Sequence, residues 1–334
     1  MKRNLGVAAL VLCGLLLIVG AMIAVGAHPM ESFLGLLKGS LGSSKAISDT
    51  LQETTPLLIA GLAVFFALRA GLFNIGVEGQ LNVGACACAF VALKVPGFGG
   101  VALGTLAGIV GGALWALPAG WIKAYKGGHE VITTIMLNNV AGYLTLALVA
   151  GPLKAPDQEG TTTANLAPST NLPALFDNGT LTISSGLVVG ILAAIGLAYW
   201  LKRTVSGYEL RAAGANPTAA AAAGVSVKRV ILQAMLTSGA IAGFAGAVQV
   251  LAFTHRFYAD LSSGYGFDAL GVALLAGQSA LLLVPSALLF GILAKGGTAL
   301  QINGVPKSIT TIVLGVLIII AAAIRYRKTQ AVES

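Results

Sequence analysis

Charge is scarce in this sequence. Only 10% of its 334 residues are Asp, Glu, Lys or Arg, against 56% hydrophobic, and the mean hydropathy is +0.88. A soluble domain carries about 25% charged residues. A deficit this large excludes a mostly wetted surface and leaves a chain that faces lipid. Cysteine is nearly absent as well. Cys13, Cys86 and Cys88 all lie in apolar segments. Cys86-Ala-Cys88 lacks the Cys-x-x-Cys spacing of a metal or redox pair and has no histidine nearby, so the thiols read as small packing residues and no metal site is expected.

The signatures of enzymes are missing too. There is no Gly-x-x-x-x-Gly-Lys-Ser/Thr phosphate loop, no His-Glu-x-x-His and no Gly-x-Ser-x-Gly elbow. His129-Glu130 has no second histidine and reads as a helix cap. Any ATP that drives this protein would be hydrolysed on another chain. No heptad pattern and no repeat of 20–50 residues stands out. The formal charge of +8 is scattered over separate loops with no basic run interleaved with aromatics, which argues against nucleic acid.

What is present is a succession of apolar segments. A spanning helix needs about 20 mostly apolar residues. Candidates fall near 5–26, 55–70, 72–94, 98–122, 130–150, 184–201, 229–252, 267–283, 285–301 and 306–324, with Pro285 dividing the eighth from the ninth. The expected fold is an all-α polytopic membrane protein of about ten transmembrane helices, forming one domain over residues 1–334. Residues 1–27 resemble a signal peptide in outline, but the apolar run is too long for one and reads as a retained first helix.

Lys/Arg bias places both termini in the cytoplasm. The cytoplasmic segments then hold Lys2 and Arg3, Arg69, Lys123 and Lys126, the loop with Lys202, Arg203, Arg211, Lys228 and Arg229, and the tail with Arg325, Arg327 and Lys328. The segment 152–183, rich in Pro, Thr and Asn, becomes an irregular external loop. Its Asn178-Gly-Thr180 sequon is a chance match. The loop 202–228 is cytoplasmic. There Asn216 and Pro217 open a short Ala-rich helix and Gly224 suits its end. That helix is either a plain connection or a docking surface.

One stretch does not fit a greasy span: GLFNIGVEGQLNVGA, residues 71–85. Asn74, Glu78 and Asn82, four apart, share one helical stripe. A mid-membrane carboxylate costs about 2.5–3.5 kcal/mol on insertion scales. Either Glu78 pairs with a nearby cation such as Arg69, or the glycines break the helix and polar groups line a path. A second polar set, Thr133, Thr134, Asn138 and Asn139, lies in EVITTIMLNNVAGYL. Uncharged amides there either bridge helices or meet a hydroxyl-rich neutral solute. Gln233, Thr237, Gln249, Asp268, Gln278 and Gln301 each read as helix glue. Small residues at four-residue spacing in 103–112 favour close helix packing.

Four segments, GLFNIGVEGQ (71–80), HEVITTIMLN (129–138), GYELRAAGANPTAAAAAGVSVKR (207–229) and ALLFG (287–291), resemble permease subunits of nucleoside and simple-sugar ABC importers in the branched-chain amino acid and ribose permease superfamily. The likeness runs from about residue 50 to 324, and HEVITTIMLN with the long external loop is similar to the nucleoside type. The resemblance implies an ABC importer membrane domain in a bacterial cytoplasmic (inner) membrane. No cofactor would sit in this chain, and ATP and magnesium would lie on an ABC ATPase subunit. It also implies a second permease subunit, usually a different chain, and an external substrate-binding protein. On this likeness Glu209, Arg211, Gly214, Asn216, Pro217, Ala220 and Gly224 would form the ATPase coupling loop. Asn74, Glu78, Asn82, Thr134, Asn138 and Asn139 would serve the translocation pathway and its gate. The chain departs from the family after Ala273, where it reads LLAGQSALLLVPSALLFG. A ribose-type sugar permease and an ion-coupled secondary transporter, with Glu78 as the ion site, are the alternatives.

Overall fold

The computed structural model describes residues 2–320 except 263, 303, 307 and 317, with side chains from residue 11 onward. In chain order the helices are α1 (Lys2–Ala24), α2 (Pro29–Leu41), α3 (Ser44–Arg69), α4 (Val77–Lys94), α5 (Phe98–Trp121), α6 (Glu130–Ala150), α7 (Ser185–Arg203), α8 (Val205–Ala215), α9 (Pro217–Ala222), α10 (Val227–Val248), α11 (Tyr265–Ala276) and α12 (Leu283–Ile302). A further apolar helix, α13, covers Ser308–Ile320. Wide π-turns extend α5 through Lys126 and α10 through Thr254.

Six helices among the described residues are long and apolar enough to cross a bilayer: Ser44–Arg69, Phe98–Lys126, Glu130–Ala150, Ser185–Arg203, Val227–Thr254 and Ala280–Ile302. Val11–Ala24 and Pro29–Leu41, bent by 99° to each other, make up to a seventh. Ten spans were expected, so the count is corrected downward. Of the other three segments, 72–94 forms α4, which starts only at Val77, and 267–283 forms the 12-residue α11. The segment 306–324 forms α13, its last residues lying outside the described ones, as do the tail cations Arg325, Arg327 and Lys328. The break in the 267–301 region is also not at Pro285, which sits inside the first turn of α12. It is at Gly277, whose φ of +65° ends α11. Proline is compatible with a first helical turn, whereas a left-handed residue favours glycine.

Glycine builds the centre. Gly104, Gly108 and Gly112 are buried along one face of α5. A Cβ on Gly108 would stand 3.0 Å from the Gly243 carbonyl oxygen of α10 and 3.1 Å from that of Gly84 in α4. The three backbones therefore approach more closely than any side chain permits, the packing mode of membrane helices that lack a hydrophobic driving force between them. Around this contact α3 is the most enclosed span, with Leu57, Leu58, Ile59, Leu62 and Phe65 all buried.

The segment 152–183 is less irregular than its composition suggests. It carries a two-stranded antiparallel hairpin, β1 (Ala174–Asp177) and β2 (Thr182–Ser184). Asn178 closes its turn, the side-chain oxygen accepting from the amides of Thr180 (3.1 Å) and Leu181 (2.8 Å). Upstream, residues 161–166 lie along 255–259. The Thr163 amide donates to the Phe257 carbonyl (2.8 Å), the Phe257 amide donates to Thr163 Oγ1 (3.0 Å), and the Leu166 amide donates to the His255 carbonyl (2.7 Å).

Candidate functional site

Two non-helical segments, 70–76 and 255–262, lead to helix starts in the middle of the bundle. The depth of the first follows from its partners. Asn74 Nδ2 donates to Ser238 Oγ (2.8 Å), and Ser238 donates to the Ala63 carbonyl of α3 (2.7 Å). Ala63 lies six residues before the end of α3, about 9 Å at 1.5 Å per residue. After leaving α3 the chain thus climbs back before α4 begins. Asn74 and Gln80 also exchange amide bonds (2.9 and 3.2 Å), and Asn74 Oδ1 accepts from the Gly76 amide. Fully buried and fully bonded, Asn74 shapes the segment from within.

Asn138 of α6 holds the same segment from the other side. Its Nδ2 donates to the Ile75 carbonyl (2.9 Å) and its Oδ1 accepts from the Gly79 amide (2.9 Å). The Ile75 carbonyl belongs to the break before α4 and the Gly79 amide to the first turn of that helix, whose first amides have no partner within it. Thr134, one turn earlier, is buried and bonds back to the Glu130 carbonyl (2.7 Å), facing Gly76. Glu130 itself pairs with Lys123 (2.7 Å). His129 stands at the N-cap position of α6 but makes no side-chain cap bond, so the expected cap is corrected to an ion pair.

Glu78 finds its donors in the second segment. Its Oε1 accepts from the Ser262 hydroxyl and from the Gly264 amide (3.1 Å), and its Oε2 accepts from the Gly266 amide (2.6 Å). The first turn of α4 thereby caps the start of α11, where free amides and the positive end of the helix dipole favour a carboxylate. Asn82, one turn along α4, donates Nδ2 to Ser262 Oγ (2.8 Å). A cavity of about 480 Å³ opens beside this cluster, between α4, α6 and the start of α11. Glu78, Asn82, Asn138 and Asn139 line it, with Asp260, Tyr143 and Phe267 on its walls. Of the six pathway residues expected, four reach this cavity, and Asn74 and Thr134 lie behind it.

Sequence reasoning missed Ser262 and Asp260. The signal was there: YADLSSGYG, 258–266, is a second polar, glycine-containing interruption between apolar runs. Among the described residues no group of three or more His, Cys, Asp or Glu could hold a metal ion.

The residues expected to form a coupling loop lie together on the other side of the 69–71 turn. Thr204 caps α8, accepting from the Gly207 amide (3.0 Å), and Asn216 caps α9, accepting from the Ala219 amide (3.0 Å), with Pro217 in the first turn. Gly224 follows with φ +88°. Asn216, Pro217 and Gly224 are exposed, Glu209, Arg211 and Gly214 are half-buried, and Ala220 is buried. Gly214 lies against the backbone of Arg69 and Ala70, and a Cβ on Gly71 (φ +74°) would stand 3.0 Å from Gly214 Cα.

The guanosine ABC transporter permease protein of Bacillus subtilis is 36% identical over 90% of this chain and 88% of its own length. The nucleoside ABC transporter permease protein NupB of Lactococcus lactis is 33% identical over 90% and 85%. A glucose ABC transporter permease protein of Haloferax volcanii is also 33% identical, over 90% and 82%. No solved structure matches the chain significantly. With residues 46–322 matching its pattern, the chain belongs to the family described as the permease component of the branched-chain amino acid transport system.

Proposed function

We propose that this chain is the membrane-spanning permease subunit of an ATP-driven importer of nucleosides, working in a bacterial cytoplasmic membrane with both termini inside. The observation that carries the reading is the 36% identity, over nine-tenths of the chain, to a permease named for guanosine. The cavity supports it. A neutral, hydroxyl-rich solute needs uncharged donors and acceptors at mid-bundle, and Asn82, Asn138 and Asn139 supply amides there, beside a carboxylate that is already hydrogen-bonded. Discontinuous helices meeting at such a point are the arrangement by which membrane proteins bind solutes at mid-depth.

In this reading Glu78, Asn82, Asn138 and Asn139 border the path, while Asn74 and Thr134 hold the break that shapes it. Exposed, capped α9, with Asn216, Pro217 and Gly224, meets an ABC ATPase, which carries the ATP and magnesium, and Glu209, Arg211, Gly214 and Ala220 hold that surface against the bundle. A binding protein delivers substrate to the outer face. A second permease, of different sequence, covers the open side of the cavity at α6, where Ile132, Met136, Val140 and Tyr143 are exposed. A sugar importer is the second reading, favoured by the glucose permease among the relatives.

The test is uptake of labelled nucleosides, ribose and glucose by cells with and without this gene. Loss of nucleoside uptake, reproduced by removing the ATPase, is expected. Loss of sugar uptake alone would move the substrate. Uptake that persists through ATP depletion and follows an ion gradient would overturn the ATP-driven mechanism.

A further inference from the structure

The hydrogen bonds at the cavity floor fix the direction of every proton. Ser262 spends its hydroxyl proton on Glu78 Oε1, so its oxygen is free to accept. Asn82 must then present Nδ2 to it, as observed at 2.8 Å. That choice turns Asn82 Oδ1 away from the serine, and Oδ1 has no partner although the residue is only 7% exposed. A buried acceptor without a donor is costly, and one in an otherwise satisfied network asks for an explanation.

We infer that Glu78 and Asn82 form a site for a vicinal diol, the paired hydroxyls of a ribose ring, and that the Ser262 hydroxyl occupies half of it in this conformer. This rests on the reading of the chain as a nucleoside permease. When Ser262 withdraws, one acceptor on Glu78 and the Nδ2 donor of Asn82 are released beside the orphaned Oδ1. One substrate hydroxyl takes the serine's place, donating to Glu78 and accepting from Asn82. Its neighbour donates to Asn82 Oδ1. A lone hydroxyl only replaces what the serine already supplies and leaves Oδ1 bare, so the second hydroxyl confers the preference. Sites built to bond a substrate hydroxyl reject analogues that lack it.

Two features fit this exchange. Ser262 sits at the end of the non-helical segment 255–262, which turns at Asp260 (φ +65°) and is followed by Gly264 (φ +97°), instead of being locked in a helix. Tyr143 and Phe267, both at least half exposed, stand on the cavity wall where a planar base attached to the ring would lie.

The experiment uses the complete importer, with both permeases, ATPase and binding protein, in proteoliposomes. ATP-driven uptake of adenosine and of 2′,3′-dideoxyadenosine is measured for the wild type and for Asn82→Ala and Ser262→Ala. The binding protein is common to every arm, so its own selectivity cancels when variant and wild-type ratios are compared. Asn82→Ala should lower the adenosine-to-dideoxyadenosine ratio by about tenfold, chiefly through slower adenosine uptake, whereas Ser262→Ala should leave the ratio at or above the wild-type value. Equal proportional loss of both solutes in Asn82→Ala would overturn the diol site while leaving the nucleoside reading intact. Wild-type complex that carries no nucleoside would overturn both. Should Asn82→Ala not assemble, the wild type decides alone. With binding protein saturated, adenosine must cross faster than the dideoxy analogue, and equal rates reject the site.

Discussion

Glu78 is worth most where it is least like an ordinary membrane residue. Its carboxylate neutralises the start of α11 through the Gly264 and Gly266 amides, so the charge that makes it costly in lipid also joins two helices. Glu78→Gln replaces one acceptor oxygen by an NH2 group facing donors already aimed at it. We expect ATP-driven uptake to fall at least about tenfold, from the loss of a charge-assisted bond of about 1.5–3 kcal/mol, with membrane levels and complex assembly unchanged. Undiminished uptake would reduce Glu78 to a structural cap. Asn138→Ala has a different signature. It strips partners from the Ile75 carbonyl and the Gly79 amide, and should cost about 1–3 kcal/mol. The readout is a lowered melting temperature of the detergent-solubilised permease; an unaltered one would mean the break stands without its clamp. Asn74, Glu78 and Asn82 were legible in the sequence because polar residues among apolar ones are conspicuous. Their division of labour was not, since it depends on hydrogen bonds to Ser238, Ser262 and Asn138 that span 59 to 184 residues of chain.

Hydropathy finds a helix by its own residues and a break only by its neighbours, and the elements divide along that line. Long α3, α5, α6, α7, α10 and α12 lie within a few residues of their expected cores, although α3 begins eleven residues earlier than its expected apolar core, through three polar helical turns at Ser44–Thr54. Segment 70–76 is apolar enough to pass for part of a span, whereas 255–262 is polar, and the unwinding of both is stabilised by partners far along the chain, on α6, on α10 and in the loop 152–183. Residues 161–166 are the clearest case, running beside 255–259 in a bridge that no local pattern announces. Thr163→Val removes the acceptor of the Phe257 amide, a donor next to a fully buried ring. Amides at 257–262 should then exchange with deuterium severalfold faster, while those of α5 and α10 stay protected. Exchange unchanged at 257–262 would mean that the loop 152–183 does not restrain the segment.

At the scale of the whole molecule, one continuous set of contacts joins the loop 202–228 to the cavity. From the exposed surface of α9 it passes to the end of α8, where Gly214 lies on the backbone of Arg69 and Ala70, and through the turn at Gly71 into 72–76. Asn138 and Asn74 grip that segment, α4 starts from it, and Glu78 carries the connection to α11. Backbone-on-backbone contact at Gly71 and Gly214 leaves no side chain to absorb a displacement, so movement of α8 is passed on whole. A Cβ at 214 would force the two elements apart without touching the outward face of α9. Gly214→Ala should therefore still recruit the ATPase in stoichiometric amount and still hydrolyse ATP, but import fewer solute molecules per ATP, by about threefold or more if the misfit exceeds about 0.7 kcal/mol. The ratio of nucleoside imported to phosphate released in proteoliposomes measures this directly. A normal ratio with normal ATPase binding would show that coupling bypasses the glycine contact and enters the bundle through α10, while loss of ATPase binding would show that Gly214 shapes the docking surface itself.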